Sequence, residues 1–198
     1  MYRFPFSKPP FPGEMTEIAL GIKWLRFPLP YRLDHINIYL IEDDGGWCVL
    51  DAGIHDEHTL KLWKAVLSGP LSDSHLTRLI VTHHHPDHIG AAGWLCHEAG
   101  IPLSISQTAY LACANISLDP GSPQDRQFYD FYLSHGMAPE VAELMGTNGL
   151  EYLRKVSPLP NTFLRLLSGD TLTIGARKFR VLTGDGHAPE QVMLYCAE

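Results

Sequence analysis

Thr82-His83-His84-His85-Pro86-Asp87-His88-Ile89-Gly90 is the stretch on which the reading of this chain turns. It gathers four of the chain's 11 histidines and a carboxylate into a short run. Written as His83-x-His85-x-Asp87-His88, it offers three imidazoles and one carboxylate, the usual nitrogen and oxygen donors for zinc and similar divalent ions. Leu79-Ile80-Val81, immediately before it, is wholly apolar and β-branched, as a strand buried on both faces should be. A loop leaving such a strand suits metal binding, because the scaffold fixes the backbone while the side chains converge. His83 and His85, two apart in extended backbone, point to the same side. Asp87 and His88 open the following helix, where the chain turns back. His84 points away and is expected not to be a ligand. Pro86 stiffens the loop, and Gly90 permits close backbone approach. A histidine-rich surface loop is the competing reading, which the spacing and the buried strand oppose.

Outward from this loop the pattern is that of an α/β layered domain. Residues 1–17 hold Pro5, Pro9, Pro10 and Pro12 and read as an extended lead-in. Residues 18–27 read as one strand. Ile36 to Ile41 and Trp47 to Leu50 form a hairpin around Asp43-Asp44-Gly45-Gly46, and the second strand ends in Asp51-Ala52-Gly53. Asp56 to Leu67 reads as a helix with Asp56 as N-cap and Leu60, Trp63 and Leu67 on one face. A helix over 91–99 ends at Gly100, and 103–106 is a short strand.

Residues 108–157 then turn helical and read as an insertion, either over the site, shaping the substrate pocket, or serving packing alone. Phe128, Tyr129, Phe131 and Tyr132, in a helix expected over 123–135, should be core residues on the inner face of an amphipathic helix. Strands return at 163–167, 171–174 and 178–183 as an antiparallel set, and 191–196 is a last apolar strand. Between them lies Gly184-Asp185-Gly186-His187-Ala188-Pro189-Glu190. A site of three imidazoles needs one more donor from elsewhere, and His187 is the best-placed candidate, although a surface histidine in a turn would look similar. Gly184 and Gly186 are expected to give its backbone unusual freedom.

Composition sets further bounds. A net charge of −7 and a pI near 5.8 argue against nucleic acid as partner. No run approaches the roughly 18 apolar residues of a membrane span, and the first residues do not read as a signal peptide. Cys48, Cys96, Cys113 and Cys196 are scattered, which suggests buried free thiols in a reducing cytoplasm.

The run THHHPDHIG resembles the HxHxDH signature of the metallo-β-lactamase fold superfamily. The strand-end VLDAG, the GDTLTIG hairpin and the GDGHAPE loop follow that family's order, from about Ile36 onward. The resemblance implies an αββα sandwich over residues 18–198, with metals at one edge of two facing sheets. It implies that His83, His85 and His187 bind a first metal and that Asp87 and His88 bind a second. Asp87 would also act catalytically, orienting a water or taking its proton, and Asp51 would lie beside the site. Zinc, one or two ions, is the expected cofactor, with iron or manganese as alternatives. An unassigned bacterial branch with a helical C-terminal region looks similar.

The family's metal-bridging Asp and last His do not appear here. The fold is therefore expected to be incomplete at its C-terminal side, the N-terminal portion of a longer protein. The expected function is a cytoplasmic metal-dependent hydrolase acting on a small soluble ester, thioester or lactone. The alternatives are a mononuclear iron dioxygenase of the persulfide type and a metal-binding but non-catalytic fragment.

Overall fold

The computed structural model describes residues 5, 6, 8–119, 126–145 and 148–197. Its larger sheet has seven strands in sequence order. They are β1 (Thr16–Ala19), β2 (Ile22–Pro28), β3 (His35–Asp43), β4 (Gly46–Leu50), β5 (Leu76–Val81), β6 (Leu103–Ile105) and β7 (Leu164–Arg165). Pairing is antiparallel from β1 to β4 and parallel from β4 to β7. A second, antiparallel sheet holds β8 (Thr171–Ile174), β9 (Arg177–Gly184) and β10 (Gln191–Tyr195), with β9 in the middle.

Strand alternation builds two cores from one sheet. Ile38, Leu40, Val49, Leu79 and Val81 face the helices, packing with Trp63 of α1 (Glu57–Ser68) and Leu95 of α3 (Ala92–Ala99). Ile41, Cys48 and Ile80 face the other way, against Ile174, Phe179, Val181 and Val192 of the smaller sheet. The described residues thus form helix, sheet and sheet layers of the expected sandwich. The outer face of the smaller sheet exposes Leu182, Met193 and Tyr195. As expected, Asp56 caps α1, its carboxylate accepting from the Thr59 amide at 2.8 Å. No described helix is long and apolar enough to cross a membrane.

Three expectations need correction. Residues 18–27 form not one strand but the end of β1, a turn and β2. Gly21, at φ +66, makes the turn, and a Cβ there would meet the Glu42 side chain. The strand expected at 163–167 is short and pairs parallel with β6 rather than joining the antiparallel set, because Ser104 and Ile105 offer it an open edge. The helical region comprises α4 (Gln107–Leu118), α5 (Gln127–Ser134), α6 (Pro139–Met145) and α7 (Asn148–Leu153). Residues 123–125 of the helix expected over 123–135 lie outside the described residues. Phe128 and Phe131 are more than half exposed and are not core residues, because, among the described residues, α5 packs chiefly on α6 and not on a sheet.

Asp43, 5 % exposed, fastens the layers together. Its carboxylate accepts from Thr77 Oγ1 at 2.7 Å, Arg78 Nε at 2.9 Å and the backbone N–H of Gly175 at 2.9 Å. Burial works against its charge, but these hydrogen bonds, one from the Asp44 amide and the Arg78 guanidinium hold its pKa below the ordinary range. Asp43→Ala strands Arg78 and three further donors, so it should destabilise the fold by about 3 kcal/mol in urea titration. A depressed folded pKa gives stability that is present above the unfolded value, near pH 4, and lost as pH falls through the folded one. Asp43→Asn should accordingly lose less stability between about pH 4 and pH 2 than the parent does. Equal losses would remove Asp43 from the account.

Candidate metal centre

The site forms where the two sheets meet at the end of β5. The Val192 amide of β10 donates to the Thr82 carbonyl at 2.9 Å, joining the smaller sheet to the first residue of the loop. On the other side the Asp51 amide donates to the Ile80 carbonyl at 2.8 Å and the Ala52 amide to the His88 carbonyl at 2.9 Å. The metal loop is therefore held from both flanks before any side chain is considered.

Asp51 is buried and adopts φ 64, a left-handed conformation that few non-glycine residues take. Such outliers persist where the surroundings over-determine them, often at functional sites. Its carboxylate accepts from the Thr82 amide at 2.8 Å and lies 2.8 Å from His88 Nδ1. Thr82 Oγ1 has one proton and stands 3.1 and 3.0 Å from the two Asp51 oxygens. Donating there, it is left as acceptor for His83 Nδ1 at 2.9 Å. With its Nδ1–H committed, His83 carries its lone pair on Nε2, while Asp51 holds the His88 ring with Nε2 turned towards Asp87. This is how outer carboxylates and hydroxyls orient metal-binding imidazoles.

His83 Nε2 lies 3.1 Å from His85 Nδ1, which lies 3.0 Å from His187 Nε2. All three atoms fall within 4.8 Å of one another. Four donors about 2.0–2.1 Å from a tetrahedral zinc stand roughly 3.3 Å apart, so the trio fits such an ion. The adjacent pair, His88 Nε2 and Asp87 Oδ2, is 3.3 Å apart, and the His83 and His88 rings are 4.0 Å apart. The five predicted residues are thus contiguous, with the three histidines as the tight group and Asp87 and His88 beside them.

Electrostatics favour neutral imidazoles at His83 and His85 and a protonated ring at His88. Burial, then the rings of His88, His85 and His187, pushes His83 down to about 3. Burial, then His84 and His187, takes His85 down to about 4. Burial opposes a charge on His88 too, but hydrogen bonds and charges from Asp51 and Asp87 outweigh it and raise that ring to about 9. Burial likewise opposes the Asp87 charge, and the His88 hydrogen bond and charge overcome it, so its pKa falls.

His84 stands outside the group, its Nδ1 buried without a hydrogen-bond partner. The glycines around His187 do not play the expected part: neither Gly184 nor Gly186 has positive φ. Glu190 does, at φ 50. Its amide donates to Asp185 Oδ1 at 2.8 Å, and its own Oε2 accepts from the Thr108 amide at 3.2 Å, pinning the loop to α4.

Sequence reasoning missed the support from the end of the helical region. Tyr152 Oη donates to the His84 carbonyl at 2.6 Å. The Ser157 amide and hydroxyl both donate to the Gly90 carbonyl at 2.8 Å, and Ser157 Oγ accepts from the Trp94 amide at 3.1 Å. The His55 amide donates to the Lys155 carbonyl at 2.8 Å. The bonds to Gly90 and His84 end on backbone carbonyls 67 and 68 residues away, for which a sequence carries no pattern. Thr82 was within reach, as the one hydroxyl between the buried strand and the histidines.

The chain belongs to the metallo-beta-lactamase superfamily, whose family model matches residues 31–198. A beta-lactamase domain protein from Burkholderia ambifaria is 32% identical, with a TM-score of 0.81 over 98% of this chain and 56% of its own. A metallo-beta-lactamase family protein from Thermus thermophilus is 24% identical, with a TM-score of 0.71 over 90% of this chain and 56% of its own. BJP-1, a subclass B3 metallo-beta-lactamase of Bradyrhizobium japonicum, shares the fold at 16% identity and a TM-score of 0.60, over 95% of this chain and 57% of its own. The chain thus spans little more than half the length of these structures. Among curated proteins there is no match.

Proposed function

We propose that this chain carries the metal-binding part of a hydrolase that uses a metal-activated water on a small soluble ester, thioester or lactone. The observation that carries the reading is the convergence of His83 Nε2, His85 Nδ1 and His187 Nε2, with the His88–Asp87 pair beside them. Those three histidines would hold one ion, zinc in the first instance with iron or manganese as alternatives, and Asp87 and His88 would help to hold a second. A divalent ion bound there supplies a water of lowered pKa and a Lewis acid for the scissile carbonyl. Thr82 and Asp51 fix the rings of His83 and His88, which would hold the first and the second ion respectively, and His88 would shed its Nε2 proton on binding. Asp87, kept ionised, is placed to orient the water or accept its proton.

A cysteine nucleophile fits poorly. Cys48 and Cys96 are buried, and burial pushes each thiol up to about 12. The four free cysteines accord with a reducing cytoplasm, and the net charge of −7 disfavours nucleic acid as partner. Metal analysis of the full-length protein, with a panel of esters, thioesters and lactones, tests the reading. Hydrolysis should vanish on chelation, return with zinc and consume no oxygen. One bound iron with oxygen uptake would instead select the persulfide-type dioxygenase. Bound metal without turnover of any panel member would leave a non-catalytic module.

A further inference from the structure

A cavity of about 390 Å³ opens beside the metal loop, lined by Tyr31, Pro86, Glu151, Tyr152 and Lys155. Two of its lining residues belong to the metal loop or hold it. Pro86 lies between His85 and Asp87, and Tyr152 is bonded to the carbonyl of His84. The cavity therefore adjoins the metal loop. The rest of the wall is polar and uneven in charge. Glu151 is already engaged by Arg154 in an i,i+3 ion pair. Among the described residues Lys155 has no ion-pair partner, although its backbone is fixed by the His55 amide. Tyr31 comes from the loop after β2, closed by the Leu29 amide on the Asp34 carbonyl at 2.8 Å. Burial and the charges of Asp87, Asp56 and Glu151 raise its phenol, so it stays a hydrogen-bond donor.

We propose that this cavity is a specificity subsite in which Lys155, with the Tyr31 hydroxyl, binds a carboxylate that the substrate carries a few bonds from its scissile carbonyl. An ammonium with no ion-pair partner among the described residues, in a partly enclosed cavity that a donor hydroxyl also lines, can recognise an anion through charge-assisted hydrogen bonds. A single carboxylate matches the one cation among the lining residues. The inference rests on the hydrolase reading for its meaning, but its test does not.

Glutarate titrated calorimetrically into chelator-stripped full-length protein reads the subsite without turnover. Lys155→Met should weaken that binding about tenfold, the range of one hydrogen bond to a charged group. Glu151→Gln should tighten it by removing a competing anion. In the zinc-loaded protein, Lys155→Met should raise KM about tenfold for a succinyl thioester and leave the butyryl thioester of the same thiol unchanged. Glutarate binding unaffected by Lys155→Met would overturn the proposal, and so would inorganic phosphate binding as tightly as glutarate. Lys155-dependent glutarate binding without thioester hydrolysis would keep the subsite and remove the hydrolase reading instead.

Discussion

His85→Ala should lower the zinc affinity of the full-length protein by more than about a hundredfold, since losing an orienting outer residue alone commonly costs 10–100-fold. His84→Ala, one position away, should change it little. The contrast follows from where the two rings lie. His85 Nδ1 is shared between His83 Nε2 at 3.1 Å and His187 Nε2 at 3.0 Å, so it is the middle member of the trio. Its removal leaves the other two histidines with no donor between them. His84 contributes no atom to that group, and its Nδ1 is buried without a partner. Truncating His84 removes an unsatisfied polar atom, which is neutral to mildly stabilising in a buried position. Its carbonyl, still bonded to Tyr152, keeps the loop backbone in place. Metal content after equilibrium dialysis, with circular dichroism to confirm folding, separates the variants. Equal loss from both would refute the ligand assignment.

The difference between these neighbours was legible in the sequence because it depends only on alternation along an extended strand end. The same holds for the faces of β3 to β5, whose period of two sorts Val49 from Cys48 and Leu79 from Ile80 between two cores. His187 lies 102 residues from His85; the residues alone made it the best-placed further donor, and the family resemblance implied that the two share an ion. Where the reading failed, tertiary partners had decided the matter. β7 is a parallel strand because β6 has a free edge, and α5 leaves Phe128 and Phe131 exposed because, among the described residues, it packs chiefly on α6. Glu190, not a glycine, takes the left-handed backbone in the His187 loop because Asp185 and α4 hold it there. None of those partners can be inferred from local composition.

Gly93→Ala should destabilise the protein by about 3 kcal/mol or more, at the upper end of overpacking effects. Intrinsic propensity points the other way, since alanine is favoured over glycine in a helix by about 1 kcal/mol. Packing decides the sign. A Cβ on Gly93 of α3 would lie 1.8 Å from the Pro158 carbonyl oxygen and 2.7 Å from its carbon, with Ser157 Oγ at 3.1 Å. The obstacle is backbone, so no rotamer change relieves it. The segment that must give way is the one whose Ser157 holds the Gly90 carbonyl at 2.8 Å. Gly90 is equally confined, its Cβ position lying 2.4 Å from the Lys155 carbonyl oxygen. Displacement of residues 155–158 would thus reach α2 (Pro86–Ile89) and loosen the metal loop, so zinc affinity should fall with stability. Gly100→Ala is the matched control: Gly100 has φ +64 and open space around it, so its cost is conformational alone, about 1–2 kcal/mol. Urea unfolding of the two variants in the full-length protein gives the comparison. If Gly93→Ala costs no more than Gly100→Ala, the 155–158 segment yields freely and does not hold the metal loop in register.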